Sequence, residues 1–142
     1  MIRVLVAEDH PLMRDALHRL FEQADDMEIV AMERTGEKAV NKAIVLHPDV
    51  AILDIKMPTM DGIRATKAIL AQSPETRVLI VSGFHTPEYI EKSLKAGALG
   101  YVLKDFLRVD LLSGVRSVYE GRRYFSPQIA DVAIRYFADG GS

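Results

Sequence analysis

The chain is expected to fold as a doubly wound α/β domain, a parallel sheet with helices on both faces. Three observations predict it. Short aliphatic runs alternate about five times with amphipathic stretches of helical period, which is the pattern of right-handed βαβ crossovers. The runs are continuously apolar rather than alternating, as expected of strands buried on both faces. The chain has 142 residues, of which 49% are hydrophobic and 27% charged, enough for one domain with a sizeable core.

Ile2-Arg3-Val4-Leu5-Val6-Ala7 reads as the first strand and stops at Glu8-Asp9. His10-Pro11 turns the chain into a helix, where proline is tolerated at the first position and Leu12, Ala16, Leu17, Leu20 and Phe21 recur at helical spacing. Met27 to Ala31 is a short second strand, and Thr35-Gly36-Glu37 opens a helix that closes near His47-Pro48. Val50-Ala51-Ile52-Leu53 is the third strand, bounded by Asp54 and then Met57-Pro58. Gly62 to Leu70 is helical. Arg77 to Ser82 forms the fourth strand, ending on a hydroxyl followed by Gly83. A helix from about Pro87 to Ala96 stops at Gly97, a left-handed C-cap position. Gly100 to Lys104 is the fifth strand, with an amine at its end, and Leu111, Leu112, Val115 and Val118 mark the helix after it. Ser126-Pro127 has the form of an N-cap followed by a first-turn proline, so one more helix is expected there.

Five strands suit the flavodoxin-like order 2-1-3-4-5, which places the first and third side by side at the switch point where ligands bind. Glu8, Asp9 and Asp54 then converge, with Ser82 and Lys104 along the same edge. Crowded carboxylates raise one another's pKa, and a hard divalent cation relieves the repulsion. Mg²⁺ suits such oxygen ligands, and Mn²⁺ can substitute. A lysine and a hydroxyl nearby would neutralise an oxyanion at Asp54, and carboxylates form acyl phosphates, so Asp54 reads as a phosphoryl acceptor.

The blocks Glu8-Asp9, Asp54-Ile-Lys-Met-Pro-Thr-Met-Asp-Gly62, Ser82-Gly83 and Gly100-Tyr-Val-Leu-Lys104 resemble the receiver domain of bacterial two-component response regulators. The resemblance covers about residues 2 to 120. Gly100 to Asp105, with Ser126-Pro127 beyond, is similar to the transcriptional subfamily typified by NarL and FixJ (LuxR-type). It implies phosphorylation of Asp54 by a sensor histidine kinase. Metal would be held by Glu8, Asp9, Asp54 and the Lys56 backbone carbonyl, and the phosphoryl group by Lys104, Ser82 and Gly83. Ser82 and Tyr101 would form the switch pair, and Lys56 and Phe84 would tune the phosphoryl lifetime. A proline usually follows the lysine, but Asp105 stands here, as is common in the subfamily.

Residues 1–122 are thus expected to be the receiver, and 123–142 a C-terminal helix and linker toward an output domain. DNA would be contacted only through that missing domain; the alternative is a stand-alone receiver acting through protein–protein contacts. Gly140-Gly141-Ser142 reads as a boundary rather than a folded terminus. In the last helix Ile129, Val132, Ala133 and Tyr136 make one apolar row, and Ala130, Ile134 and Phe137 a second. The second row would be exposed unless covered, so a docking role is expected, most simply in a homodimer formed on phosphorylation.

A net charge of −2 gives no global attraction for nucleic acid, and the absence of cysteine excludes disulfides and thiol chemistry. No leader or membrane-length apolar run is seen, so a cytoplasmic protein without membrane contact is expected. A haloacid-dehalogenase-like phosphatase would need an acid two residues past Asp54, where Lys56 stands. A flavin module would need a Ser/Thr/Gly-rich loop in place of Glu8-Asp9. Gly97 and Gly100 form no dinucleotide fingerprint. His10 reads as a helix-entry residue; His18, His47 and His85 read as surface or packing residues, and Met57 and Met60 as packing.

Overall fold

The computed structural model describes residues 1–141, so the final residue of the Gly140-Gly141-Ser142 ending lies outside the described residues. Its elements in chain order are β1 (Ile2–Ala7), α1 (Pro11–Glu22), β2 (Met27–Glu33), α2 (Gly36–Leu46), β3 (Val50–Leu53) and α3 (Gly62–Gln72). There follow β4 (Arg77–Ser82), α4 (Pro87–Ala96), β5 (Gly100–Leu103), α5 (Leu107–Tyr119), β6 (Tyr124–Phe125) and α6 (Ala130–Ala138). The strands form one parallel sheet in the order β2-β1-β3-β4-β5-β6. The expected α/β architecture and the order of the first five strands hold, but the sheet has six strands rather than five. Gly121, at φ +83°, turns the chain back after α5, and Tyr124 and Phe125 then pair with Gly100 and Tyr101.

Successive strand residues point to opposite faces, which divides the core in two. Leu5, Ala51, Leu53, Ile80 and Tyr101 face α2, α3, α4 and α6; Val4, Val6, Ile52, Val81 and Val102 face α1 and α5. Each of these strand side chains is at most 1% exposed, and full burial of a residue such as Ile52 contributes about 1.5–3 kcal/mol. The helices start as their sequences dictate: the Thr35 hydroxyl accepts from Lys38 N–H and the Asp61 carboxylate from Arg64 N–H. Gly97 closes α4 at φ +111°, as expected of a left-handed cap.

The last helix departs from expectation at its start. Ser126 makes no side-chain cap. Its hydroxyl accepts from Leu103 N–H (3.0 Å) and donates to Asp110 (3.0 Å), while a 3₁₀ turn over Pro127–Ile129 precedes α6. Two hydrogen bonds to buried partners, one of them a carboxylate, outweigh a single cap. α6 lies against α4, burying Ile129 and Ala133. The second apolar row is only partly covered: Phe137 packs near Phe125 and under the Arg123 guanidinium, Ala130 and Phe137 are half-buried, and Ile134 remains 64% exposed. Among the described residues, no helix is long and apolar enough to cross a membrane.

Candidate functional site

β1 and β3 lie side by side with Ala7 opposite Leu53, so the residues immediately after them emerge together at the C-terminal edge of the sheet. Asp54 N–H donates to the Ala7 carbonyl (3.2 Å), and the Asp54 side chain is buried. Oxygens of Glu8, Asp9 and Asp54, with a ring nitrogen of His10, all lie within 4.8 Å of one another. β4 and β5 pair with Ser82 opposite Leu103, which brings Lys104 to the same edge. The Lys104 ammonium bridges Asp54 Oδ2 (2.8 Å) and Glu8 Oε1 (2.9 Å). Sequence-distant groups thus meet because parallel strands all end on one side.

Charge and burial set the protonation of this cluster. Burial pushes the Asp54 carboxyl above the ordinary range; the Lys104 ammonium opposes this, while Glu8 and Asp9 add to it. Burial also acts on Glu8, but the Lys104 ammonium and the His10 donors outweigh it and hold that carboxyl below its usual value. For Lys104, burial favours the neutral amine, yet the bonds to Asp54 and Glu8 prevail and its pKa is raised.

Three features suit the set to a hard cation. Asp9 Oδ1 is buried without a hydrogen-bond partner, although His10 Nδ1 is 3.2 Å away, because that nitrogen bonds Glu8 Oε2 (3.1 Å) instead. The three carboxylates are hard oxygen donors. Among the described residues no N–H donates to the Lys56 carbonyl, which leaves a fourth oxygen free in the adjoining loop. Gly62 fixes that loop, since its N–H donates to the Ile55 carbonyl (2.8 Å) and a Cβ there would lie 2.1 Å from the Asp54 carbonyl oxygen. Thr59 in the same loop has φ +65°, a conformation uncommon outside glycine.

The remaining expected residues sit around this centre. The buried Ser82 hydroxyl accepts from Phe84 N–H (3.0 Å). Tyr101 is wholly buried, its hydroxyl donates to the Phe84 carbonyl (2.6 Å), and burial pushes it up to about 12. Gly83 is exposed with open space where a Cβ would stand, so packing does not demand glycine there. The Lys56 ammonium lies 5.5 Å from the centre of the Phe84 ring and 5.7 Å from that of Tyr89, which itself packs on Phe84. His10 donates to Glu8 through both its backbone N–H and its ring, and so joins the cluster as well as starting α1. His47 caps α2 at φ +45° and contacts the Ser73 hydroxyl.

Two contributors were not anticipated. The Arg14 guanidinium donates to the backbone carbonyls of Glu8 (3.1 Å) and Asp9 (2.8 Å) and so pins the acidic turn. Its place one turn into α1 was the available signal. Asp110, buried in α5, accepts from Tyr124 (2.6 Å) and Ser126 and ties the C-terminal segment to α5, while Ser126 accepts from Leu103 N–H of β5. Asp110 falls on the apolar period of its helix, next to Leu111 and three residues past Leu107, which marked it as buried.

Comparison with known proteins agrees with this geometry. The sequence profile of the response regulator receiver domain matches residues 4–116. The response regulator GacA of Pseudomonas viridiflava is 37% identical over 138 residues, covering 96% of this chain and 64% of GacA. The chain thus spans less than two thirds of the length of the GacA relatives it matches. A LuxR-family two-component response regulator from Aurantimonas sp. SI85-9A1 superposes with a TM-score of 0.89 at 29% identity, over 96% of this chain and 97% of that one. The signal receiver domain of a response regulator assigned as NarL, from Mycobacterium tuberculosis, superposes with a TM-score of 0.82 at 34% identity, over 85% and 98%. The chain belongs to the response regulator receiver domains of two-component systems, among relatives of the NarL/LuxR type.

Proposed function

We propose that Asp54 is the phosphoacceptor of this receiver and that a sensor histidine kinase supplies the phosphoryl group. The observation that carries the reading is the bridging of Asp54 and Glu8 by the Lys104 ammonium beside a buried, unbonded Asp9 oxygen. A carboxylate oxygen of Asp54 attacks phosphorus in line, an O–P bond forms as the P–N bond to the donor imidazole breaks, and the imidazole leaves with the electron pair and takes a proton. Glu8, Asp9, Asp54 and the Lys56 carbonyl would hold Mg²⁺ or Mn²⁺, which lends the incoming phosphoryl oxygens positive charge. Lys104 can exchange its bond to Asp54 for a phosphoryl oxygen, remaining a counter-charge throughout. Ser82 and the Gly83 backbone would donate to the same group.

Switching then follows from hydrogen-bond exchange. A Ser82 hydroxyl turned toward the phosphoryl group releases Phe84 N–H, and the Tyr101 bond to the Phe84 carbonyl must adjust with it. Lys56 stacked over Phe84 would screen the acyl phosphate from attacking water.

In this reading residues 1–122 act as the receiver and 123–142 lead to a DNA-binding output domain, with phosphorylation favouring a homodimer. The chemistry is that of a signalling domain which phosphorylates and dephosphorylates itself, located in the cytoplasm. Intact-mass spectra with acetyl phosphate and Mg²⁺ should show one added phosphoryl group. Undiminished incorporation in Asp54→Asn would overturn the assignment. Light scattering with and without beryllofluoride tests the dimer.

A further inference from the structure

We propose that the groove between α3 and α4 is a docking surface for an acidic amphipathic polypeptide segment. A cavity of about 530 Å³ opens there, bordered by Lys56, Arg64, Lys67, Lys92 and Lys95. Helical spacing sets two cations three residues apart on each wall, Arg64 and Lys67 on α3 and Lys92 and Lys95 on α4. Five of the 18 basic side chains therefore border one cavity in a chain whose net charge is −2.

Intramolecular partners neutralise little of this charge. Lys92 pairs with Glu88 (2.9 Å), and Lys56 lies over the Phe84 and Tyr89 rings. Among the described residues, the Arg64, Lys67 and Lys95 side chains make no ion pair. Like charges at helical neighbours repel, so the arrangement opposes helix stability unless an anionic partner covers it. The floor is apolar: Ile55 is buried, and Ile63 and Tyr89 are half-buried. Cationic walls over an apolar floor fit a helix or extended segment that presents carboxylates on its flanks and an aliphatic row between them.

The same features disfavour nucleic acid. Asp61, the N-cap of α3, and Glu88 at the start of α4 put carboxylates at one end of the groove, where a continuous phosphate backbone would be repelled. A peptide can leave that end uncharged. Ile55 and Lys56 directly follow Asp54, so an occupant would touch the loop that carries the candidate phosphoacceptor. The surface itself does not depend on that assignment.

The test uses the ¹⁵N-labelled chain and a synthetic peptide of Glu and Leu, about 16 residues long and patterned to place Leu on one helical face. A Lys-for-Glu counterpart and an oligothymidylate are the controls. Amide shifts should concentrate in α3 and α4 with the Glu peptide alone. Arg64→Glu/Lys67→Glu should weaken binding about tenfold, as should raising the ionic strength severalfold. Lys92→Glu/Lys95→Glu, which changes two exposed positions on α4, supplies an independent second variant. The proposal fails if no shifts arise at α3 and α4, if both variants bind as the wild type does, or if the oligonucleotide binds there more tightly than the peptide.

Discussion

Replacing Asp54 by asparagine is expected to stabilise the metal-free protein at neutral pH. At an effective dielectric of about 20, the Lys104 ammonium at 2.8 Å attracts the Asp54 carboxylate by about 6 kcal/mol. Glu8 and Asp9 oxygens lie within 4.8 Å, so each repels it by about 3.5 kcal/mol or more in the same medium. The two repulsions slightly exceed the one attraction, and burial adds a desolvation cost on the same side. Asparagine removes the charge, nearly keeps the shape, and retains a carbonyl oxygen that can accept from Lys104. A gain of about 1–2 kcal/mol follows, or about 3–6 °C in Tm for a domain of this size. Thermal melts in EDTA near pH 7 measure it. Asp54 has a folded pKa raised above its unfolded one, so the stability it lends is complete below the unfolded value and lost as pH rises through the folded value. The advantage of the variant should therefore shrink as pH falls. Mg²⁺ at about ten times its Kd should add about 1.4 kcal/mol to the wild type and close the gap. A variant less stable than the wild type in EDTA, or an advantage as large near pH 4 as near pH 7, would refute the charge reasoning.

Lys104→Gln should act in the opposite sense, because it leaves Glu8 and Asp54 buried without a counter-charge; urea melts should show a loss of about 3 kcal/mol at neutral pH. Unchanged stability would mean that the bridge contributes nothing. Asp110→Ala strands the Tyr124 and Ser126 hydroxyls and should cost about 3 kcal/mol, with hydrogen exchange at Leu103 N–H accelerated in step. Exchange at Leu103 as slow as in the wild type would separate Asp110 from the clamp. Lys56→Asn/Phe84→Ser should shorten the life of the phosphorylated protein, followed as loss of the added mass after the donor is removed. Equal decay rates would exclude the stacked pair as a water screen.

How much was legible depended on whether a signal was local. The runs of β1, β3, β4 and β5 were visible because burial on both faces of a parallel sheet demands continuous hydrophobicity, whereas β2, at the sheet's edge and broken by Glu28, is mostly half-buried. The convergence of Glu8, Asp9, Asp54 and Lys104 was legible for a related reason: parallel strands deliver all their C-terminal ends to one edge. β6 was not, because two residues carry no periodicity, and Tyr124-Phe125 becomes a strand only by pairing with β5. Ser126-Pro127 has the local chemistry of a helix start, and the proline does open the 3₁₀ turn there. The serine hydroxyl is instead taken by Leu103 N–H and Asp110, partners no window around residue 126 contains.

The clamp bears on how a change at Asp54 could travel. Ser126 N–H donates to the Tyr101 carbonyl (3.0 Å), and its hydroxyl accepts from Leu103 N–H, so the C-terminal segment is fastened to the strand that carries the switch candidate and leads into Lys104. A shift of β5 therefore acts on the 3₁₀ turn and α6 directly, without passing through the helices on the other face. α6 in turn covers part of α4, and its remaining exposed large apolar side chain is Ile134. One such side chain contributes at most about 3 kcal/mol on burial, whereas a stable interface buries about 1,200–2,000 Å². In the docked position α6 is thus too well satisfied to hold a dimer by itself. A dimer built on this side would draw on surface beyond α6 or on movement of the segment off α4, and the hydrogen bonds of Ser126 and Asp110 resist that movement.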